Sequence, residues 1–324
     1  MKIRTLCLVL GLFTLGCAAP AASVESNPVG RVSAQSELLA QADTLFRSRQ
    51  YEESRPVYLL ALQAADKVGD NSTAVEALSQ VARTYLTTDK KEEGRPWLEK
   101  ARVRVKEGEG AGWGRYLGVK GRFEWKDDQL EEARRTFVQQ YDFCMAQGLY
   151  EMSVDAAHMV AIVAPPDQQL EWAQKGITAA EKGNLPGWLG PLWNNLAYTY
   201  ETLGDYPRAL DCYLKARTYH YQVGDEKARY VADWAVGRGY RLTGQLEEAE
   251  RWLTQALAAV EQAGDGEFIG LTHEELGEID RARGSAGEAR THFTVAYQKL
   301  EEAGALEWDP ERMARLEGYL KEAP

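Results

Sequence analysis

Glycine returns along this chain at a nearly constant interval. It stands at Gly69, Gly108, Gly148, Gly183, Gly224, Gly264 and Gly304, with steps of 39, 40, 35, 41, 40 and 40 residues. A period of that size marks an array of like units, because one unit cannot bury its own apolar face and needs neighbours stacked against it. Each glycine closes a helical stretch, where a left-handed residue costs glycine nothing. Between these stops the apolar pattern reads as two amphipathic helices per period, joined by short turns such as Gly204-Asp205, Gly244-Gln245 and Gly284-Ser285.

Two columns of small residues support the array. On the first helix of each unit the column runs Ala42, Ala82, Gly121, Ala157, Ala197, Gly237 and Gly277. On the second it runs Ser54, Gly94, Ala133, Gln169, Ala209, Ala249 and Ala289, with Gln169 the exception. Helices whose backbones approach closely need small residues where they cross. One turn after the second column come large residues, Tyr58, Leu98, Phe137, Tyr213, Leu253 and Phe293. The fourth unit is irregular, with Ala164-Pro165-Pro166 at its turn, and the Pro- and Gly-rich stretch 184–191 that follows it predicts a kink or a seam.

The clearest unit reads Trp193, Leu196, Ala197 and Tyr200 on its first helix, then Gly204-Asp205-Tyr206, then Ala209, Tyr213 and Ala216. This resembles the tetratricopeptide repeat, with units longer than the family's usual length. The resemblance covers roughly residues 34–300. It implies an all-α, right-handed superhelical solenoid of about seven helix pairs over 34–308, which binds a protein or an extended peptide in the concave groove lined by the first helices; a structural linker acting through its ends or convex face is the alternative. Asp309-Pro310 then opens a last helix over 309–324, whose Glu311, Arg312, Arg315 and Lys321 suit a polar cap on the final repeat.

The first 17 residues follow another logic. A short basic start, apolar residues from Leu6 to Leu15 and then Gly16-Cys17 have the layout of a secretory signal, too short for a stable transmembrane helix. Thr14-Leu15-Gly16-Cys17 resembles the bacterial lipobox, although Thr14 stands where that motif carries an apolar residue. The resemblance implies lipidation of Cys17, a flexible tether over 18–33 and, from Ala18, an outer-membrane lipoprotein facing the periplasm. Cleavage after Ala19 or Ala21, which yields a secreted protein, is the alternative reading.

Composition narrows the function. The net charge of -11 and the lack of a Lys/Arg-rich run argue against a nucleic-acid partner. Four cysteines, two of them within the first 17 residues, build neither a disulfide scaffold nor a zinc fold. His273-Glu274-Glu275 begins like a metalloprotease motif, but Gly277 stands where the second histidine belongs. The run Gly108–Gly114 reads as a flexible inter-repeat turn, since a phosphate loop needs a preceding strand. Cys144 and His158 form no catalytic set without an orienting group. No enzyme and no cofactor is expected, and Trp193 is read as packing.

The candidate site is therefore a peptide-binding wall. The position after each small first-helix residue runs Asp43, Arg83, Arg122, His158, Tyr198, Arg238 and Glu278, with no acid among its central members. Trp125, Lys126, Asn194, Trp234 and Arg241 are placed beside them, and Glu76, Glu151 and Glu201 face the same way. Guanidinium, amide and aromatic groups suit an extended peptide, where Arg holds a carboxylate and rings supply contact area.

Overall fold

The computed structural model describes residues 33–321. The signal sequence, Cys17 and nearly all of the tether lie outside the described residues, as do the last three residues of the chain. The described residues form two units, 33–189 and 190–321. Among them there are sixteen helices and no strand.

In the N-terminal unit the helix pairs are α1 (Ala34–Arg47) and α2 (Tyr51–Val68), α3 (Asn71–Thr87) and α4 (Lys91–Arg104), α5 (Gly110–Lys126) and α6 (Leu130–Ala146), then α7 (Tyr150–Val163) and α8 (Pro166–Lys182). Helix α9 (Pro186–Thr202) begins here and continues into the second unit. There it pairs with α10 (Tyr206–Val223), followed by α11 (Glu226–Leu242) with α12 (Leu246–Ala263) and α13 (Gly266–Arg283) with α14 (Ala286–Glu302). A single turn, α15 (Ala305–Trp308), and α16 (Pro310–Lys321) end the unit. Each unit is an all-α solenoid of stacked helix pairs.

The small columns sit at the crossings. Ala42, Ala82, Ala157 and Ala197 are fully buried. A β-carbon on Gly121 would lie 2.6 Å from the Phe137 ring, and one on Gly277 would lie 2.7 Å from the Phe293 ring, so the large residue of the second helix fills the space that the small residue of the first leaves. Full burial of such a ring contributes about 2–3 kcal/mol. Gln169, the exception, turns its amide to the carbonyl of Ala164 at 3.2 Å.

Three readings from the sequence need correction. Gly183 and Gly224 are not left-handed, with φ of -82° and -80°. The positive φ passes to Asn184 at 49°, while the Gly183 backbone lies so close to Tyr150 that a side chain there would meet the Tyr150 β-carbon at 2.6 Å. The run Gly108–Gly114 is not a turn throughout, because α5 starts at Gly110. Gly112 is there for proximity: a β-carbon would stand 2.7 Å from the Ser72 carbonyl of α3, and its N–H donates to Ser72 Oγ at 2.9 Å. Lastly, the cap helix does not turn all its charge to water. Asp309 caps it by accepting from the Arg312 N–H at 3.1 Å, while Arg312 and Arg315 reach the buried Glu274 at 3.1 and 2.5 Å.

Candidate functional site: a charged cavity in the N-terminal unit

Three positions on each first helix share one face, namely the residue after the small crossing position and those three and seven places before it. On α3 these are Arg83, Gln80 and Glu76; on α5, Arg122, Val119 and Arg115; on α7, His158, Asp155 and Glu151. This face borders an open cavity of about 800 Å³. Its polar lining includes Asp43, Gln80, Arg83, Arg115 and Asp155, and Phe46, Tyr51, Tyr150 and Trp188 bring rings to it. Arg47 and Glu151 approach across it to 3.9 Å.

The charges pair from one first helix to the next. Arg122 donates to Asp155 at 2.6 Å and to the Gly118 carbonyl at 2.9 Å, with 11% of its side chain exposed. Arg83 lies 3.7 Å from the same Asp155 oxygen and faces the cavity. Arg115 reaches Asp43 at 3.4 Å and Glu76 at 3.8 Å. Asp43 also accepts from the Tyr58 hydroxyl at 2.5 Å and from Gln80 Nε2 at 2.8 Å.

These contacts set the protonation states. Burial pushes the Asp43 carboxyl up, but Arg115 and the Tyr58 and Gln80 donors outweigh it and hold it below the ordinary range. Burial likewise pushes Asp155 up, but Arg122 and Arg83 hold it well down. Burial pushes Glu76 up to about 7, Arg115 only partly opposing it. Burial and then the neighbouring Arg122 lower Arg83 to about 10, and at 3.7 Å from a carboxylate that Arg122 holds at 2.6 Å it is the more loosely paired of the two. Three guanidinium groups thus meet two firm carboxylates and one half-ionised one, leaving a local positive excess in an acidic chain.

The wall expected from the sequence is only partly what the structure presents. Arg83 faces the cavity, while Arg122 lies beneath it, sealed to Asp155. His158 is half-buried, and burial lowers its basicity. Trp125 and Lys126 lie at the end of α5 outside the cavity lining, the Lys126 ammonium 5.6 Å from the Trp125 ring centre. The other five residues belong to the C-terminal unit, and two of them are core. Asn194 is 3% exposed and bonded to His220 at 3.0 Å. Trp234 is 7% exposed and packs edge-on to Phe268. Arg238 is taken up by Glu201 and Glu275, and Arg241 by Glu275. Tyr198 is half-buried, and burial raises its hydroxyl above the ordinary range. The first-helix column after the crossing residue shows the cations but hides the acids that neutralise them, which come from other columns. Arg115 and Asp155 were missed for that reason, although Arg115 stands two helical turns before Arg122.

Tetratricopeptide-repeat family models match residues 190–216 and 235–267. The match to the tetratricopeptide repeat lies in those two segments of the C-terminal unit. No curated protein matches its sequence. Among solved structures, the apo form of RapI is similar, with a TM-score of 0.72 and 12% identity over 89% of this chain and 82% of that one. A signal transduction ATPase with numerous domains from Pyrococcus horikoshii, which has a tetratricopeptide repeat sensor, gives a TM-score of 0.66 and 18% identity over 85% of this chain. The chain spans 44% of the length of that protein. The hetero-tetramer Cut9-Hcn1 gives a TM-score of 0.50 and 15% identity over 90% of this chain and 56% of that one. At these identities the likeness is one of fold alone.

Proposed function

We propose that this chain is a scaffold anchored in the cell envelope through a lipidated Cys17, facing the periplasm from the outer membrane, which holds an extended segment of a partner protein and so aids assembly of an envelope complex. It acts by binding and not by catalysis. The observation that carries the binding reading is the 800 Å³ cavity, where aromatic rings surround an arginine whose nearest carboxylate is already taken by another arginine. Rings and desolvated guanidinium groups are the side chains that dominate protein recognition. The anchor rests on the sequence Gly16-Cys17 after an apolar run. Among the described residues, no helix is long and apolar enough to cross a membrane.

The test places a photo-crosslinking amino acid at Tyr150 in the cavity and at Val103, which is exposed on the second helix α4. A partner joined from position 150 and lost with Arg83→Glu supports docking in the cavity. A partner joined only from position 103 moves recognition to another face and overturns it. Fractionation of a Cys17→Ser chain tests the anchor separately: release from the membrane supports lipidation, whereas secretion of the parent chain overturns it.

A further inference from the structure

We propose that the N-terminal cavity binds an anionic group of its partner together with one proton, and that Glu76 is the residue that takes the proton. This rests on the reading that the partner docks in the cavity. Arg115 is the central group. It already serves two carboxylates, Asp43 at 3.4 Å and Glu76 at 3.8 Å, and its Nε makes no hydrogen bond. Beside it Arg83 has only a 3.7 Å share of Asp155. An anion entering at Arg83 and Arg115 therefore finds under-used donors, and it also brings a third negative charge to the Arg115 guanidinium.

The two carboxylates already there differ in how firmly they are ionised. Asp43 accepts hydrogen bonds from Tyr58 and Gln80, at 2.5 and 2.8 Å. Glu76 is 7% exposed, and among the described residues its ion-pair partner is Arg115 at 3.8 Å. A buried carboxylate stays charged only as far as donors and cations hold it so. When the arriving anion draws on Arg115, the carboxylate with the fewest donors is the one that becomes neutral, taking its proton from solvent.

The surroundings of Glu76 agree. From α5 Arg115 favours its charge, while Asp43 of α1 and Asp70 at the start of its own helix oppose it. From α2 the Tyr58 hydroxyl is turned to Asp43, and from α4 Arg104 is taken up by Asp66 and Asn71. From α6 the buried Cys144 thiol, pushed up to about 12 chiefly by burial, stays neutral. Burial, with Arg115 opposing and the two aspartates adding, raises Glu76 to about 7, so at neutral pH the site is half loaded with its proton before any ligand arrives.

Calorimetric titration of the full chain tests this, using acetylated nonapeptide pools with acidic, neutral or basic centres at pH 6, 7 and 8, in buffers of different ionisation heat. The acidic pool binds, its affinity falls about tenfold from pH 6 to pH 8, and close to one proton is taken up at pH 8. Glu76→Gln keeps the pH 6 affinity and flattens the profile to less than twofold, while Arg83→Gln weakens binding at every pH. Should the Glu76→Gln chain not fold, carbon NMR of the Glu76 carboxyl in the parent chain must show its midpoint rising when the acidic pool is added. Unchanged pH dependence in Glu76→Gln, an unmoved midpoint, or acidic binding without proton uptake overturns the proposal. Binding confined to neutral or basic pools also overturns it, yet leaves docking in the cavity standing. Failure of all three pools overturns both.

Discussion

Arg122 and Asp155 are joined at 2.6 Å from α5 to α7, thirty-three residues apart, with Asp155 in the cavity lining and Arg122 beneath it. Arg83 stands 3.7 Å from the same carboxylate and keeps its guanidinium toward the cavity. Breaking a buried pair by removing one partner costs far more than removing a loosely held one, because the partner left behind is an uncompensated charge. Arg122→Met is expected to destabilise the chain by about 3 kcal/mol, and Arg83→Met by about 1 kcal/mol or less. Urea unfolding followed by circular dichroism checks the order, and equal losses from both substitutions would show that the two arginines share Asp155 alike.

Gly121 and Gly244 predict a contrast between space and backbone. A side chain at Gly121 meets the Phe137 ring at 2.6 Å, whereas Gly244 has φ of 77° and open space around it. Gly121→Ala forces the ring to move, with a loss of about 1–3 kcal/mol that Phe137→Leu in the same chain partly restores. Gly244→Ala costs about 1 kcal/mol through backbone strain, and Phe137→Leu does not relieve it. Thermal unfolding of the single and double variants separates the two mechanisms.

The cap helix is held by charge. Glu274 is buried between Arg312 and Arg315, both carried on α16. The double variant Arg312→Met, Arg315→Met strands that carboxylate and is expected to cost about 3–5 kcal/mol, whereas adding Glu274→Leu recovers most of it. Hydrogen exchange over α13 and α14 reads the effect locally.

Two histidines make the C-terminal unit sensitive to acid. Burial lowers His220 to about 4, and burial followed by the neighbouring His292 does the same to His273. Between pH 6.5 and pH 4 the unfolded chain binds these protons and the folded chain does not. The stability they support is therefore complete above pH 6.5 and is lost as pH falls through that window. The loss is on the order of 2–3 kcal/mol for each histidine. Urea midpoints measured from pH 7.5 to pH 4 should fall in the parent and fall less in His273→Gln, which also ends the 2.8 Å contact between His273 and His292.

Much of this molecule is readable along the chain because its rules are local. A small residue on the first helix facing a large one on the second is a statement about one helix pair, and Gly121 with Phe137 or Gly277 with Phe293 satisfies it within sixteen residues. The turn chemistry is nearly as local: Asp309 caps its own helix, and Gly204, Gly244 and Gly284 take the left-handed conformation their turns need. Even here the reading fails at Gly183 and Gly224, where the glycine makes room for a neighbour instead of reversing the chain.

The site follows a different rule. Asp155 meets Arg83 from seventy-two residues away, and Arg115 meets Asp43 across the same span. Periodicity places both members of each pair on inward-facing columns, but it does not say that they touch, nor which arginine is left with the weaker share. A charge in the column reads the same whether it is quenched, as Arg238 is between Glu201 and Glu275, or under-neutralised, as Arg83 is. Helix periodicity comes from backbone geometry repeated every few residues and is written wherever those residues are. Neutralisation of a charge depends on distance and burial in the stacked array, which exist only once distant units have packed.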